Sequence, residues 1–264
     1  MTVQSIEAAA AVAWPPTESL TLGSWRLSAG DGFSRRRNSV VPAGPLPEDL
    51  DRRLADVEEW YRVRGLPTLY RVTPECEDAL DGILAERGLV FESPTFVMSR
   101  LLGLPESVEE VDESPVVTDS WVETEIAALG IDRSSIGPWL ATIAVVPSPA
   151  SFVVPVDDGE PAGAGFGVVV DDLLGVFEIV VRPEYRRRGH AGRIMAALHQ
   201  FGMREGARRV FLQVLEDDEP AIALYRSLGY EVSHRYWYRR ADAFTNPAAV
   251  APGAVGSPSV AEAG

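Results

Sequence analysis

Lysine is absent from this chain, and all 24 of its basic residues are arginine. No ε-amino group is therefore available for chemical modification. The single cysteine, Cys76, excludes an internal disulfide bond and any cysteine-based metal site. His199 and His234 lack the spacing of metal ligands, and no apolar run approaches the roughly 20 residues of a membrane-spanning helix. We therefore expect neither a metal site nor a membrane span.

Acidic residues outnumber basic ones by 39 to 24, which gives a net charge of −15. Such a charge repels nucleic acid and acidic membrane surfaces and attracts a cationic amine. The same charge would also keep the protein soluble. The sequence leaves open whether the charge attracts a substrate or only maintains solubility. The segment from Met1 to Trp14 contains Glu7 but no basic stretch, which predicts no secretion signal and a cytoplasmic location.

A repeat divides the chain. When the sequence is compared with itself at an offset of 141 positions, several landmark residues coincide without gaps. The coinciding pairs are Trp25 with Phe166, Val40 with Val181, Pro42 with Pro183, Gly65 with Gly206, and Gly88 with Gly229. We predict an N-terminal copy at 1–102, an acidic linker at 103–115, a second copy at 116–242 and a tail at 243–264. The tail has too few apolar residues to offset its chain entropy and is predicted to be disordered.

Each copy has the pattern of two strands, a helix, a strand, a helix and a final strand. In the first copy these elements are predicted at 20–29, 33–41, 47–64, 67–73, 76–87 and 90–101. In the second they are predicted at 162–171, 174–182, 190–205, 208–215, 219–228 and 231–240. Two further helices, at 120–129 and 134–145, and a strand at 151–156 precede the repeated elements within the second copy.

The stretch from Phe177 to Met195 carries the chemical information. Its β-branched run ends at Pro183, an Arg/Gly loop follows, and an apolar pattern with helical spacing begins at Ile194. The backbone N–H groups at the start of such a helix point at one anion, and the helix dipole favours negative charge there. The glycines let the ligand approach the backbone closely, and the three arginines add positive charge. The pattern predicts a pyrophosphate site.

The loop lacks the Lys-Ser/Thr of a Walker loop and the distant acidic residue of a dinucleotide fingerprint. With Arg186-x-x-Gly189-x-Ala191, preceded by Val181 and Pro183, it resembles motif A of the GNAT N-acetyltransferases. Two further segments match that family in order: the strand Val210-Phe211-Leu212-Gln213-Val214, and Asp218-x-x-Ala221-Ile222-x-Leu224-Tyr225-x-x-Leu228-Gly229-Tyr230. Asp218 departs from the family's usual Asn, although it can cap a helix equally well.

The resemblance implies an α/β (α+β) fold of tandem GNAT type. Its central sheet would be mixed and mostly antiparallel, flanked by helices, with parallel strands splayed at the cofactor site. It also implies transfer of an acetyl group from acetyl-CoA, as co-substrate and with no metal, to a primary amine by direct attack. The residues expected to bind acetyl-CoA are Ile179, Val180, Val181, Arg186, Arg187, Arg188, Gly189, His190, Ala191, Gly192, Asp218 and Ala221.

Two catalytic residues are implied. Tyr225 stands where the family has the general acid that protonates the leaving thiolate; the alternative is an aromatic residue that packs in the core. Glu178 is the best-placed general base, unless strand alternation turns it away or it forms a cross-strand ion pair. The N–H of Val181 would polarise the thioester carbonyl.

The first copy is predicted to have lost the anion site. Pro45 and Pro47 stand at the positions of Arg186 and Arg188, and Leu84 stands at the position of Tyr225. Pro47 removes an N–H group, and the acidic residues that follow it would repel an anion. The first copy would then be structural or shape the acceptor site.

Other functions stay open from sequence alone. A non-catalytic acyl-CoA-binding sensor could use the same fold, and an enzyme could prefer a longer acyl-CoA. Possible acceptors are a small thiol-precursor amine, a protein amino group, a polyamine or an amino-sugar antibiotic. A homodimer is possible. A nucleic-acid-binding module is disfavoured because the arginine run is short and the net charge opposes it.

Overall fold

A computed structural model of the chain describes residues 2–30, 34–76, 78–103 and 111–241. The predicted tail at 243–264 and the segment 104–110 of the predicted linker lie outside the described residues. The helices are α1 (Val3–Ala13), α2 (Leu50–Arg62), α3 (Asp78–Glu86), α4 (Asp119–Leu129), α5 (Gly137–Ile143), α6 (His190–Arg204) and α7 (Glu219–Ser227).

The strands follow the same chain order. They are β1 (Glu18–Leu22), β2 (Trp25–Ala29), β3 (Val40–Val41), β4 (Leu69–Val72), β5 (Val90–Leu101), β6 (Val111–Ser114), β7 (Ala150–Asp157), β8 (Glu160–Pro161), β9 (Gly163–Val170), β10 (Leu173–Val181), β11 (Arg209–Leu215) and β12 (Glu231–Arg240). Short 3-10 helices lie at Arg35–Arg37, Arg133–Ser135 and Pro183–Tyr185. The chain forms two compact units, one from the described residues among 1–15 and 97–233, and one from those among 16–96 and 234–241.

The larger unit is built on the strand order β5-β11-β10-β9-β7-β6. Most neighbouring pairs are antiparallel, but β10 and β11 are parallel. Their registered pairs end at Gly175 with Phe211, although both strands continue, to Val181 and Leu215. The two strands therefore diverge, as the resemblance implied, and leave a cleft between their C-terminal ends.

Helix α6 packs on one face of this sheet. Its predicted apolar stripe, from Ile194 to Phe201, is buried. The contact with β9 is close because β9 is rich in glycine: a Cβ on Gly165 would lie 2.7 Å from Cγ2 of Ile194 and 2.5 Å from Cδ1 of Ile179. This close packing fixes the start of α6 at the end of β10.

Helices α1 and α4 also contact β9 and β10. Their aromatic residues form a cluster with those of the strands: Trp14 contacts Phe166 and Phe177 at ring distances of 5.1 and 5.8 Å, and Trp121 contacts Phe166 at 6.0 Å. Helix α4 starts at the side chain of Thr118, which accepts from the N–H of Trp121. Helix α1 was not predicted, because its Ala/Val run carries no clear helical period.

The smaller unit has the strand order β1-β2-β3-β4-β12-β5. Its core contains Trp25, Leu27, Val40, Leu54, Val57, Tyr61, Tyr70, Val72, Cys76, Leu80 and Leu84. The hydroxyl of Tyr61 donates to the carbonyl of Ser28 and accepts from its N–H, at 3.0 and 3.2 Å. The strand predicted at 20–29 is a hairpin of β1 and β2 that turns at Gly23. Of the strand predicted at 33–41, the structure describes 34–41, and only 40–41 of this range forms a strand.

The two compact units do not follow the two sequence copies. β12 is the last strand of the second copy, yet it pairs with β4 of the first copy through Trp237 with Val72 and Arg240 with Leu69. The end of β5, the last strand of the first copy, lies beside β11 in the larger unit. The final strands are thus exchanged between copies. The predicted linker also holds a strand, β6, which pairs with β7. The division by sequence copy concerns ancestry and stays a prediction.

Candidate active site

The Arg/Gly loop connects the end of β10 to the start of α6. After the 3-10 turn Pro183–Tyr185, Arg187 and Gly189 adopt positive φ angles of 65° and 87°. Gly189 is the N-cap of α6 and supplies no side chain to cap it. The first N–H groups of α6 therefore have no side-chain cap from Gly189, and they can serve a ligand.

A groove of about 350 Å³ lies at this helix start. It runs between the loop and α7, and its lining is Val181, Arg186, Arg187, Gly189, His190, Ala191, Gly192, Pro220, Ala223 and Leu224. Added Cβ atoms on Gly189 and Gly192 would meet no atom within 4 Å, so both glycines border open space. The groove combines guanidinium groups with backbone donors, which suits a phosphate-bearing ligand.

The N–H of Val181 points into the cleft between β10 and β11. The next residue, Arg182, donates its N–H to the carbonyl of Ala162 across the β9 side, at 2.9 Å. Because successive N–H groups of a strand point to opposite edges, the N–H of Val181 points away from β9. On that side β11 has already diverged.

Helix α7 faces the loop, and Tyr225 lies on the buried side of this helix. Asp218 caps α7, with Oδ1 3.1 Å from the N–H of Ala221. Its other oxygen, Oδ2, is buried without a hydrogen-bond partner among the described residues. Burial raises the pKa of Asp218, and burial followed by the charge of Asp218 raises the pKa of Tyr225. The phenol therefore keeps its proton at neutral pH.

Glu178 occupies a β-bulge. The register of β10 against β9 shifts between Phe177 and Val180, so Glu178 and Ile179 together lie opposite Gly165. Glu178 itself has a φ of 50°, a conformation that is costly for a residue with a side chain. The regular alternation of the strand is interrupted here, so alternation alone does not specify the direction of the Glu178 side chain.

A second carboxyl group lies near the bulge. Glu125 on α4 is fully buried, and neither of its carboxyl oxygens has a hydrogen-bond partner among the described residues. One turn earlier, Trp121 donates from Nε1 to the carbonyl of Gly165, 3.0 Å away, which places this face of α4 over the bulge. Burial, and then the charge of Glu178, raise the pKa of Glu125 well above its ordinary range.

The helix that corresponds to α6 in the first copy is capped by its own side chain. Asp49 is the N-cap of α2, and its carboxylate accepts from the N–H of Arg52 at 3.0 Å. A carboxylate thus occupies the place that a bound anion would need. At the offset of 141 positions, the buried Arg37 stands where the second copy has Glu178.

A family model described as "Probable histone acetyltransferase Rv0428c C-terminal" matches residues 2–239. The chain belongs to this family, within the GNAT N-acetyltransferases. It is 26% identical over 245 residues to the uncharacterized N-acetyltransferase YobR of Bacillus subtilis, which covers 90% of the chain and 98% of that protein. It is 28% identical over 253 residues to the probable histone acetyltransferase Rv0428c of Mycobacterium tuberculosis, covering 89% of the chain and 73% of the relative.

The fold of this acetyltransferase is also found in a solved structure. A GCN5-related N-acetyltransferase from Kribbella flavida superposes with a TM-score of 0.70 at 18% identity, over 94% of the chain and 98% of that structure. The predicted fold class and the predicted GNAT membership are thus confirmed. The chain is an N-acetyltransferase enzyme.

The structure brings half of the predicted site residues of this GNAT enzyme, seven of fourteen, to one groove. The predicted residues outside its lining are Ile179, Val180, Arg188, Asp218 and Ala221, together with Glu178 and Tyr225. The groove also includes Pro220, Ala223 and Leu224, which follow from the helical period of α7 after its cap. From the sequence, Glu125 is one of several front-helix residues, with Trp121 and Glu123, that could either line an acceptor pocket or pack. Its burial could not be predicted, because a carboxylate among apolar helical positions is usually exposed.

Across residues 2–241, apart from the gaps in the description, no group of three or more His, Cys, Asp or Glu side chains is arranged to hold a metal ion. No helix in the same ranges is long and apolar enough to cross a membrane.

Proposed function

We propose that this enzyme transfers the acetyl group of acetyl-CoA to a primary amine, by direct attack, in the cleft of the larger unit. The observation that carries the proposal is the position of the α6 N-terminus. It lacks a side-chain cap and lies beside arginines, at the point where β10 and β11 diverge. A ligand with a pyrophosphate and a thin acyl-bearing arm fits both features.

The pyrophosphate would lie over the first turn of α6, among Gly189, Ala191 and Gly192, with Arg186 and Arg187 at its edge. Backbone N–H groups and the helix dipole would bind its charge. The pantetheine arm would follow the backbone of Ile179 to Val181 into the cleft. Asp218 and Ala221 would support the same arm from the start of α7.

The acetyl carbonyl would accept a hydrogen bond from the N–H of Val181. A preorganised donor that faces a developing oxyanion typically lowers the barrier by about 3 kcal/mol. The direction of this N–H, away from β9, supports the role because no strand partner competes for it at this position.

Glu178 would take one proton from the acceptor ammonium, which leaves a neutral amine that attacks the carbonyl carbon. The C–N bond forms and the C–S bond breaks. Tyr225 would protonate the departing CoA thiolate, and the second amine proton leaves as the amide forms. The balance is one ammonium and one thioester converted to one amide, one thiol and one released proton.

The acceptor class is narrowed by charge. With a net charge of −15, the protein attracts a cationic amine more strongly than an acidic one. The M. tuberculosis relative is named a probable histone acetyltransferase. A basic peptide therefore belongs in the first panel of acceptors, beside a polyamine and an amino sugar.

The test is calorimetric titration of the full chain with acetyl-CoA, followed by an assay of thiol release over the acceptor panel. We expect one site per chain. The double variant Arg186→Ala, Gly189→Asp should abolish binding, because an acidic side chain replaces the open space at the helix start. Two sites would contradict the loss of the anion site in the first copy, and absence of binding would refute the proposal.

A further inference from the structure

His190, the first residue of α6, turns its ring into the protein. The ring is 3% exposed, and both of its nitrogens have partners. Nη1 of Arg193 lies 3.2 Å from Nδ1, and Oδ2 of Asp157 lies 3.1 Å from Nε2. A guanidinium group only donates, so Nδ1 accepts and Nε2 carries the hydrogen that is donated to Asp157. These two hydrogen bonds therefore select one tautomer of the ring.

The same aspartate holds the loop at a second point. Nη1 of Arg188 lies 3.3 Å from Oδ2 of Asp157. Arg193 also donates from Nη1 to the carbonyl of Val156, at 3.0 Å. The end of β7 is thus joined to the loop and to the first turn of α6 by three hydrogen-bonded links.

If only charge is considered, the position of Asp157 is unfavourable for the binding of an anion at the loop. A carboxylate beside a loop that binds an anion repels that anion, and its removal should strengthen binding. A side chain that binds the loop directly has the opposite effect when it is removed, because the backbone donors lose their fixed orientation. The two roles therefore predict changes of opposite sign.

We propose that Asp157, His190 and Arg193 form a brace that orients the first turn of α6 for the pyrophosphate of acyl-CoA. This inference rests on the proposed function. These are positioning residues: they act through the backbone donors of α6, and Asp157 also draws Arg188 to the side of the loop.

Four variants of the full chain test the brace by calorimetry with CoA as the probe. Asp157→Ala removes the charge and the acceptor, whereas Asp157→Asn removes the same charge and keeps an oxygen that can accept from Nε2 of His190. Asp158→Asn removes one charge from the adjacent residue, which is exposed and makes no side-chain hydrogen bond with the described residues. His190→Gln keeps one donor and one acceptor.

We expect Asp157→Ala to weaken CoA binding about tenfold, the equivalent of one charge-assisted hydrogen bond. The CoA affinities of Asp157→Asn and His190→Gln should lie between those of Asp157→Ala and the wild type. Asp158→Asn should bind CoA at least as tightly as the wild type. In turnover, the KM for acetyl-CoA should rise while kcat at saturating acetyl-CoA stays the same.

Equal or tighter CoA binding by Asp157→Ala would overturn the brace and leave Asp157 as a charge only. If that variant does not fold, the CoA affinities of His190→Gln and His190→Leu are compared instead. Equal affinities of these two variants would refute the brace. Failure of the wild type itself to bind CoA would instead refute the proposed function.

Discussion

Glu125 of α4 lies near enough to Glu178 of β10 for the charge of Glu178 to raise the pKa of Glu125. The two residues are 53 positions apart in sequence and belong to different elements of the larger unit. Burial already disfavours a charge on Glu125, and a second carboxylate nearby disfavours it further. Both effects favour the protonated, neutral form of Glu125 near the candidate base.

Replacement of Glu125 by Gln should make the protein more stable at high pH. The pKa of Glu125 is raised by folding, so its contribution is fully present below the ordinary pKa of 4.5 and is lost as pH rises towards the folded pKa. The Gln variant has no such loss. The difference in unfolding free energy between variant and wild type should therefore grow with pH, by at most about 1.4 kcal/mol per pH unit.

Urea unfolding at several pH values from 5 to 8 measures this difference. Glu123→Gln, an exposed position on the same helix, is the control and should show a constant offset. If the difference in unfolding free energy between Glu125→Gln and the wild type is also independent of pH, Glu125 ionises normally in the folded protein.

Replacement of Glu178 by Gln should lower kcat/KM at neutral pH by about 100-fold or more, as expected for a lost general base. Acetyl-CoA binding should not change. The deficit should shrink above the pKa of the acceptor amine, because the amine then arrives without its extra proton. Glu231→Gln, an exposed site on β12, is the control. A deficit that is independent of pH would assign Glu178 a structural role.

The second copy could be predicted closely because its patterns are local. The predicted bounds of α6, at 190–205, differ by one residue from His190–Arg204, and β12 was predicted at its observed bounds. The loop glycines and the cap Asp218 mark helix starts in the sequence itself. The groove lining near α6 follows from those local signals.

Features that depend on distant contacts could not be predicted. Nothing in the sequence of β12 distinguishes pairing with β4 from pairing within its own copy, because both neighbours offer an apolar strand. The bulge at Glu178 requires an opposing strand that is one residue shorter. The burial of Glu125 depends on how α4 lies on β9, which the helical period alone does not specify.

Alanine at Gly192 and alanine at Gly189 should affect stability in opposite directions. Gly192 lies inside α6 with space around it, where alanine favours a helix by about 1 kcal/mol. Gly189 has a φ of 87°, where a side chain costs about 1–2 kcal/mol. Yet both methyl groups would enter the groove, so both variants should bind acetyl-CoA less tightly.

Thermal unfolding and calorimetry on the same samples test this contrast. We expect Gly192→Ala to raise the Tm while it weakens acetyl-CoA binding. Unchanged affinity in Gly192→Ala would mean that acetyl-CoA does not pass over the first turn of α6.

Replacement of Tyr225 by Phe separates its two possible roles. The ring is 2% exposed and packs 5.9 Å from Tyr230, but its hydroxyl has no hydrogen-bond partner among the described residues. Loss of the hydroxyl should therefore change the unfolding free energy by less than about 1 kcal/mol.

If the phenol protonates the leaving thiolate, kcat should nevertheless fall by about 100-fold or more with no change in the acetyl-CoA dissociation constant. Burial raises the pKa of Tyr225, so this phenol holds its proton over the working pH range. An acetyl thioester of 4-nitrothiophenol, whose thiolate leaves without acid assistance, should show a much smaller difference between wild type and variant. A variant that turns over acetyl-CoA at the wild-type rate would leave Tyr225 as a packing residue, because only the lost hydroxyl distinguishes the two side chains.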